Sequence, residues 1–189
     1  MLSYSEALDL LNCYGKDAAW IRHCRAVSLV AERLSIAISP NQALDAEFLR
    51  VGALLHDIGR YKTHDPVMHG VEGYHLLTGL GHHREAFICA SHVFCGMPQA
   101  EAVTYGLPEQ DFLPRTLEER LVPLIDSVVE VDRPTTLEQR MLSIYRRYQG
   151  RGPFLERMEQ AAVTARGLLR DLNSEFGISL EGLAKEALE

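Results

Sequence analysis

Apolar residues recur at three- and four-residue steps along nearly all of this chain, and no stretch alternates apolar with polar at the period of a half-buried strand. That periodicity confines the fold to the all-α class, a helical bundle whose apolar stripes meet in one core. The start signals agree. Ser3 with Glu6, Thr116 with Glu119 and Thr135 with Glu138 have the spacing of capping boxes, in which a hydroxyl and a carboxylate satisfy free backbone donors. They open the helices "ALDLLNCY", "LEERLVPLIDSVVEV" and "LEQRMLSIYRRY". A second helix is predicted over 17–37, where Trp20, Cys24, Val27, Ala31 and Leu34 form a stripe with His23 beside it, and "SPNQ" at 39–42 breaks the pattern. A third runs through Phe48, Val51, Leu54 and Leu55 to Ile58, with Gly59 placed to stop it.

Asp65 and Pro66 read as the N-cap and first residue of a fourth helix, with His69 in its first turn. A fifth covers 83–94. Gly96, Pro98, Gly106, Pro108 and Pro114 then mark a long connection bordering a pocket, with one short helix near "QAEAVTY". Pro123 is expected to bend the helix that carries Asp126. A long helix over 154–173 and a short one over 180–188 complete the chain. Residues 1–149 are read as the principal domain. Residues 150–189 are read as a helical extension that covers the core or forms a homodimer contact.

The net charge of -7 opposes a broad nucleic-acid footprint, which needs a basic face, and leaves room for a small anionic substrate held by a local positive site. Cys13, Cys24, Cys89 and Cys95 have neither C-x-x-C nor zinc-finger spacing and are read as reduced packing thiols. With no basic leader before an apolar stretch and no run of eighteen apolar residues, the expectation is a cytoplasmic protein without a membrane partner.

Several polar residues sit where apolar ones belong. "LLHDIGRYKTHDPVMHG", residues 54–70, brings His56 and Asp57 directly after an apolar run. Adjacent residues point about 100° apart on a helix, so the two converge only at a helix end. A histidine and a carboxylate converging on one point suit a divalent transition metal. Asp126 stands among Leu124, Ile125, Val128 and Val129, where an unpaired carboxylate costs several kcal/mol. It either faces solvent or an arginine, or it holds a cation. His23 offers the same choice between a satisfied core histidine and a ligand.

The order His23, His56-Asp57, Asp126, each on its own helix, resembles the H…HD…D signature of the HD-domain superfamily of metal-dependent phosphohydrolases, and "HDIG" resembles the form that names one subgroup. "THDPVMHGVEGYHLL" and "FICASHV" resemble the two segments that follow, and "GLPEQDFLPRTLEERLVPLIDSVVE" resembles a group of small archaeal and bacterial HD proteins. The likeness covers residues 20–133. It implies a single all-α HD bundle in which His23, His56, Asp57 and Asp126 hold one divalent ion of iron, manganese, nickel, cobalt or zinc. His69 and His92 would hold a second, with Asp57 bridging. Many members carry two consecutive histidines where this chain has His92-Val93.

Such a centre activates water against a small phosphate ester, with Asp57 and Arg60 as the catalytic residues and a nucleotide or dinucleotide as the implied substrate. Arg60, Lys62, His64 and Arg133 are the candidate substrate-binding groups, each set against a reading as a solvated surface residue. His82 and His83 are read as exposed or capping, and His75 as pointing away from His69. Two alternatives stay open: a di-iron oxygenase using the same six ligands, and a metal-stabilised sensor that binds a nucleotide without turnover.

Overall fold

The computed structural model describes residues 2–38 and 44–189, so the "SPNQ" break lies outside the described residues. Helices α1 (Tyr4–Gly15), α2 (Trp20–Ile38) and α3 (Ala46–Leu55) begin the chain. α3 sets the arrangement of the rest, because Phe48, Leu49, Val51, Gly52, Ala53, Leu54 and Leu55 bury nearly its whole circumference. A helix apolar on all sides must be covered on all sides. Helices α1 and α2, together with α5 (His83–Ser91) and α7 (Leu117–Ser127), pack around it. α4 (Met68–Gly79) pairs with α5, and α6 (Gln99–Thr104) is the one short helix of the long connection. α8 (Leu137–Arg147), α9 (Gly152–Phe176) and α10 (Leu180–Leu188) follow. Their Leu137, Met141, Ala162, Leu172, Leu180 and Ala184 join the same apolar cluster as Val27, Leu34, Phe48 and Leu121. The fold is all-α, and no helix among the described residues is long and apolar enough to cross a membrane.

The capping boxes at Ser3 and Thr116 form with Glu6 and Glu119. The third is displaced by one residue: Thr136, not Thr135, caps α8, with Gln139 as its reciprocal partner. A glutamine reaches the cap as well as a glutamate does, so two overlapping pairs were available in the sequence. Asp65 is not the N-cap of α4. Val67 holds that position, and Asp65 Oδ1 accepts from the backbone of Val67 at 2.9 Å and Met68 at 3.0 Å, doing a cap's work from the turn before.

α3 ends at Leu55, three residues before the expected stop, and a 3-10 turn over Ile58–Tyr61 follows. Gly59 serves close approach instead of a left-handed cap, since a Cβ there would lie 1.9 Å from the His69 carbonyl oxygen. α7 likewise stops at Ser127, and Val129–Glu130 and Arg133–Pro134 form a two-residue antiparallel hairpin where continued helix was expected. α5 ends at Ser91, because Phe94 and Cys95 take left-handed backbone that no helix continues through. The cysteines are unpaired thiols.

Candidate metal centre

The helix ends described above aim side chains at one point. His23 lies on α2, His56 and Asp57 directly follow α3, His69 opens α4, His92 follows α5, and Asp126 is the penultimate residue of α7. Each histidine is fixed through Nδ1 to a main-chain carbonyl: His23 to Val131 at 3.0 Å, His56 to Ala53 at 2.8 Å, His69 to Asp65 at 2.9 Å and His92 to Cys89 at 2.8 Å. A carbonyl only accepts, so Nδ1 carries a proton in each ring, which leaves Nε2 as the atom that would offer its lone pair inward to a metal. Val131, exposed and in left-handed backbone that a β-branched residue rarely adopts, is the strained member of this frame. Its carbonyl is the one that holds His23.

The Nε2 atoms converge on carboxylates and on one another. His23 Nε2 lies 2.8 Å from Asp126 Oδ1, and His69 Nε2 lies 2.9 Å from Asp57 Oδ1 and 3.1 Å from His92 Nε2. His56 Nε2 is buried without a hydrogen-bond partner among the described residues. Asp57 divides its oxygens: Oδ2 faces His23 at 4.0 Å and His56 at 3.9 Å, while Oδ1 faces His69 and, at 3.7 Å, His92. Asp126 Oδ1 is 3.8 Å from His56 Nε2. Two ligand groups result, His23-His56-Asp57 and Asp57-His69-His92, sharing one carboxylate. Lone pairs crowded against lone pairs and carboxylates call for cations between them, and this donor set of imidazoles and carboxylates is the kind that divalent transition metals take. The residues present therefore fit one or two such ions.

Electrostatics keep His56, His92, Asp57 and Asp126 in their ligating forms. Burial lowers the His56 pKa and takes that of His92 down to about 3, so both rings are neutral at neutral pH. Burial alone would raise the Asp57 carboxyl, but the Arg60 guanidinium, His69 and His56 outweigh it and hold it well below the usual carboxylate range. Asp126 is held down in the same way, its burial outweighed: where no ion is bound, the Nε2 of His23 carries a proton to it, and that hydrogen bond and charge prevail.

The cluster opens into a cleft whose enclosed part holds about 120 Å³ and whose mouth widens to solvent. Asp57, Arg60, His69, His92 and Asp126 line one side. Arg60 donates Nε to Asp57 Oδ2. Lys62, His64 and Arg133 do not reach this cleft. Lys62 is drawn to Glu72 on α4 at 2.7 Å, His64 is exposed in the irregular segment before α4, and Arg133 is exposed on the hairpin strand. His75 and His83 are exposed too, and His82 stands at the N-cap position of α5 without a side-chain cap bond. A further wall was missed in the sequence: Arg140, Met141, Ile144 and Arg147 of α8, with Phe154 and Met158 of α9. Arg140, Ile144 and Arg147 are spaced i, i+4 and i+7, which puts two cations and an apolar residue on one helix face.

The family model described as HD domain matches residues 20–130, a span that holds all six cluster residues. A protein of Methanocaldococcus jannaschii that is itself named only as uncharacterised is 38% identical over 130 residues, covering 68% of this chain and 76% of its own length. The tRNA (cytidine(56)-2'-O)-methyltransferase of Picrophilus torridus is 31% identical over 182 residues, 96% of this chain and 49% of that protein. The Thermoplasma volcanium protein of the same name is 35% identical over 133 residues, 70% of this chain and 38% of that protein. This chain thus spans half or less of the two methyltransferases' length. No solved structure matches it. With the matched span covering more than half the chain and the buried His and Asp residues lying inside it, the chain belongs to the HD-domain family.

Proposed function

We propose that the chain is a metal-dependent phosphohydrolase that cleaves a small phosphate ester, a nucleotide or dinucleotide, with water as the nucleophile. The observation that carries this reading is the inward set of four Nε2 atoms and two carboxylates, with His56 Nε2 unpartnered among the described residues, behind a cleft that Asp57, His69, His92 and Asp126 line. Bound there, a divalent ion would lower the pKa of a water and neutralise charge developing on phosphoryl oxygens. His23, His56, Asp57 and Asp126 would hold one ion, and His69 and His92 a second with Asp57 shared. Arg60, tied through Nε to Asp57, keeps its terminal guanidinium nitrogens for phosphate oxygens, and buried apolar neighbours limit bulk water. Support for a small substrate rather than a nucleic-acid polymer comes from the net charge of -7.

The names of the two methyltransferase relatives describe proteins at least twice this chain's aligned length, and we assign methyl transfer to their unaligned part. The test is elemental analysis of protein purified without chelator, joined to a phosphate-release screen over mono- and dinucleotides with manganese, iron, cobalt or nickel. Metal with release supports the reading. Metal with oxygen uptake and no release would transfer it to the oxygenase alternative, and a metal-free, inert protein would overturn it.

A further inference from the structure

Arg140 is an unusual cation. Its side chain is 15% exposed, yet it makes no hydrogen bond among the described residues and only ion-pair contacts, at 3.9 Å to Asp126 and 3.5 Å to Glu130. A guanidinium carries five donors in a planar fork, and one that meets its two carboxylates only at 3.5 and 3.9 Å keeps donors for a ligand in the cleft it lines. Arg147, one face-turn further along α8, donates to Glu130 Oε1 at 3.2 Å, and Ser143 donates to the same oxygen. Glu130 does not line the cleft, whereas both arginines do. It therefore anchors the pair from behind. With Asp126 committed to the metal cluster, two guanidiniums face one carboxylate, and the surplus positive charge is directed into the cleft.

The rest of that wall is apolar. Met141, Ile144 and Met158 line it beside Phe154, whose ring is 5.7 Å from Phe94 and 4.9 Å from Tyr148. All of α8 and α9 lies beyond the span matched by the family model.

We propose that Arg140 and Arg147 form a second phosphoryl subsite next to the metal cluster, with the apolar wall taking a nucleobase, so that the substrate is a nucleoside 5′-diphosphate. The proposal rests on the hydrolase reading above and deepens it. Because Arg140 is 3.9 Å from a cluster carboxylate, the phosphoryl group it binds is the immediate neighbour of the one being attacked, which describes an anhydride better than a distant ester. In the reaction the water oxygen bonds to the terminal phosphorus and the anhydride P–O bond breaks. The electron pair stays on the oxygen of the departing nucleoside monophosphate, where the arginines offset its charge, and the water's proton passes to solvent. The products are orthophosphate and nucleoside monophosphate.

The first measurement is calorimetric binding of AMP, the leaving half, to the full chain in chelator, where turnover is silenced. Wild type is expected to bind. Arg140→Ala and Arg147→Ala are each expected to weaken Kd by about tenfold or more, with Arg147→Lys between. Arg147 is 52% exposed, so its substitution tests binding without threatening the fold, which circular dichroism checks. No binding by wild type, or Kd unchanged in both alanine variants, would overturn the subsite. The second measurement compares phosphate release from ADP and AMP with manganese. Arg147→Ala is expected to lower kcat/KM for ADP about tenfold more than for AMP, and equal losses would overturn the anhydride assignment. AMP binding that depends on the arginines without release from any nucleotide would instead sink the hydrolase reading and leave the subsite standing.

Discussion

Asp57 is shared by both ligand groups, and that placement separates its removal from the removal of any one histidine. Its Oδ1 faces His69 and His92 while Oδ2 faces His23 and His56. Asp57→Asn is therefore expected to empty both positions and to lower phosphate release by at least about a hundredfold, because even residues behind metal ligands cost 10–100-fold. His69→Ala should remove only the ion it shares with His92. Elemental analysis per chain distinguishes the two outcomes, and equal metal loss in both variants would contradict a bridging carboxylate. Asp65 acts differently. Its burial favours the neutral acid, but the backbone donors of Met68 and Val67 and the Arg151 guanidinium outweigh that and lower its pKa. A carboxyl depressed on folding adds stability above its unfolded value of 3.8 and loses it as pH falls through the folded value. Asp65→Ala should thus cost about 1 kcal/mol at neutral pH, as a lost cap does, and the difference from wild type should shrink in urea titrations repeated toward pH 3.

Helices that carry strong periodicity or a cap, such as α2 and α7, were readable from the chain, as was the sequence order of His23, His56-Asp57 and Asp126. What the residues could not disclose were long-range approaches. Gly59 looked like a stop signal, yet its role is set by α4, whose His69 carbonyl and Gly73 amide would lie 1.9 and 2.4 Å from a Cβ. The hairpin after Ser127 hid in a run of valines, since β-branched residues inside an apparent helical stripe are ambiguous over so short a span. Arg140 and Arg147 looked like ordinary surface cations because nothing local says that α9 folds back to close a cleft over them. Two substitutions separate these kinds of glycine. Gly59→Ala forces backbone against backbone, so α4 must move with His69, and a loss above about 2 kcal/mol with reduced metal content is expected. Gly52→Ala meets only the flexible tip of Ile88, at 2.3 Å, and should cost less while leaving metal content intact. Denaturant melts with metal analysis compare them, and similar losses in both would refute the close-approach account of Gly59.

The six inward donors come from α2, α4, α7 and the ends of α3 and α5, so an ion among them ties together segments from residue 23 to residue 126 whose other contacts are largely apolar. Without cations the protein keeps His56 Nε2 buried without a partner among the described residues, the Nε2 atoms of His69 and His92 3.1 Å apart, and two carboxylates beside them. Metal binding is then also a contribution to folding, because the unfolded chain has no preformed site. An ion present at a hundred times its dissociation constant adds about 2.7 kcal/mol to stability. For a chain of this length each kcal/mol moves Tm by about 2–4 °C, so chelation at neutral pH is expected to lower Tm by about 5–10 °C. Asp57→Asn should lack that response, since the variant has no site to empty, and its melt should be the same with and without chelator. A wild-type Tm indifferent to chelator and to added manganese would mean that the buried imidazoles are balanced by protons instead of metal, and the metal-centre reading would fail with it.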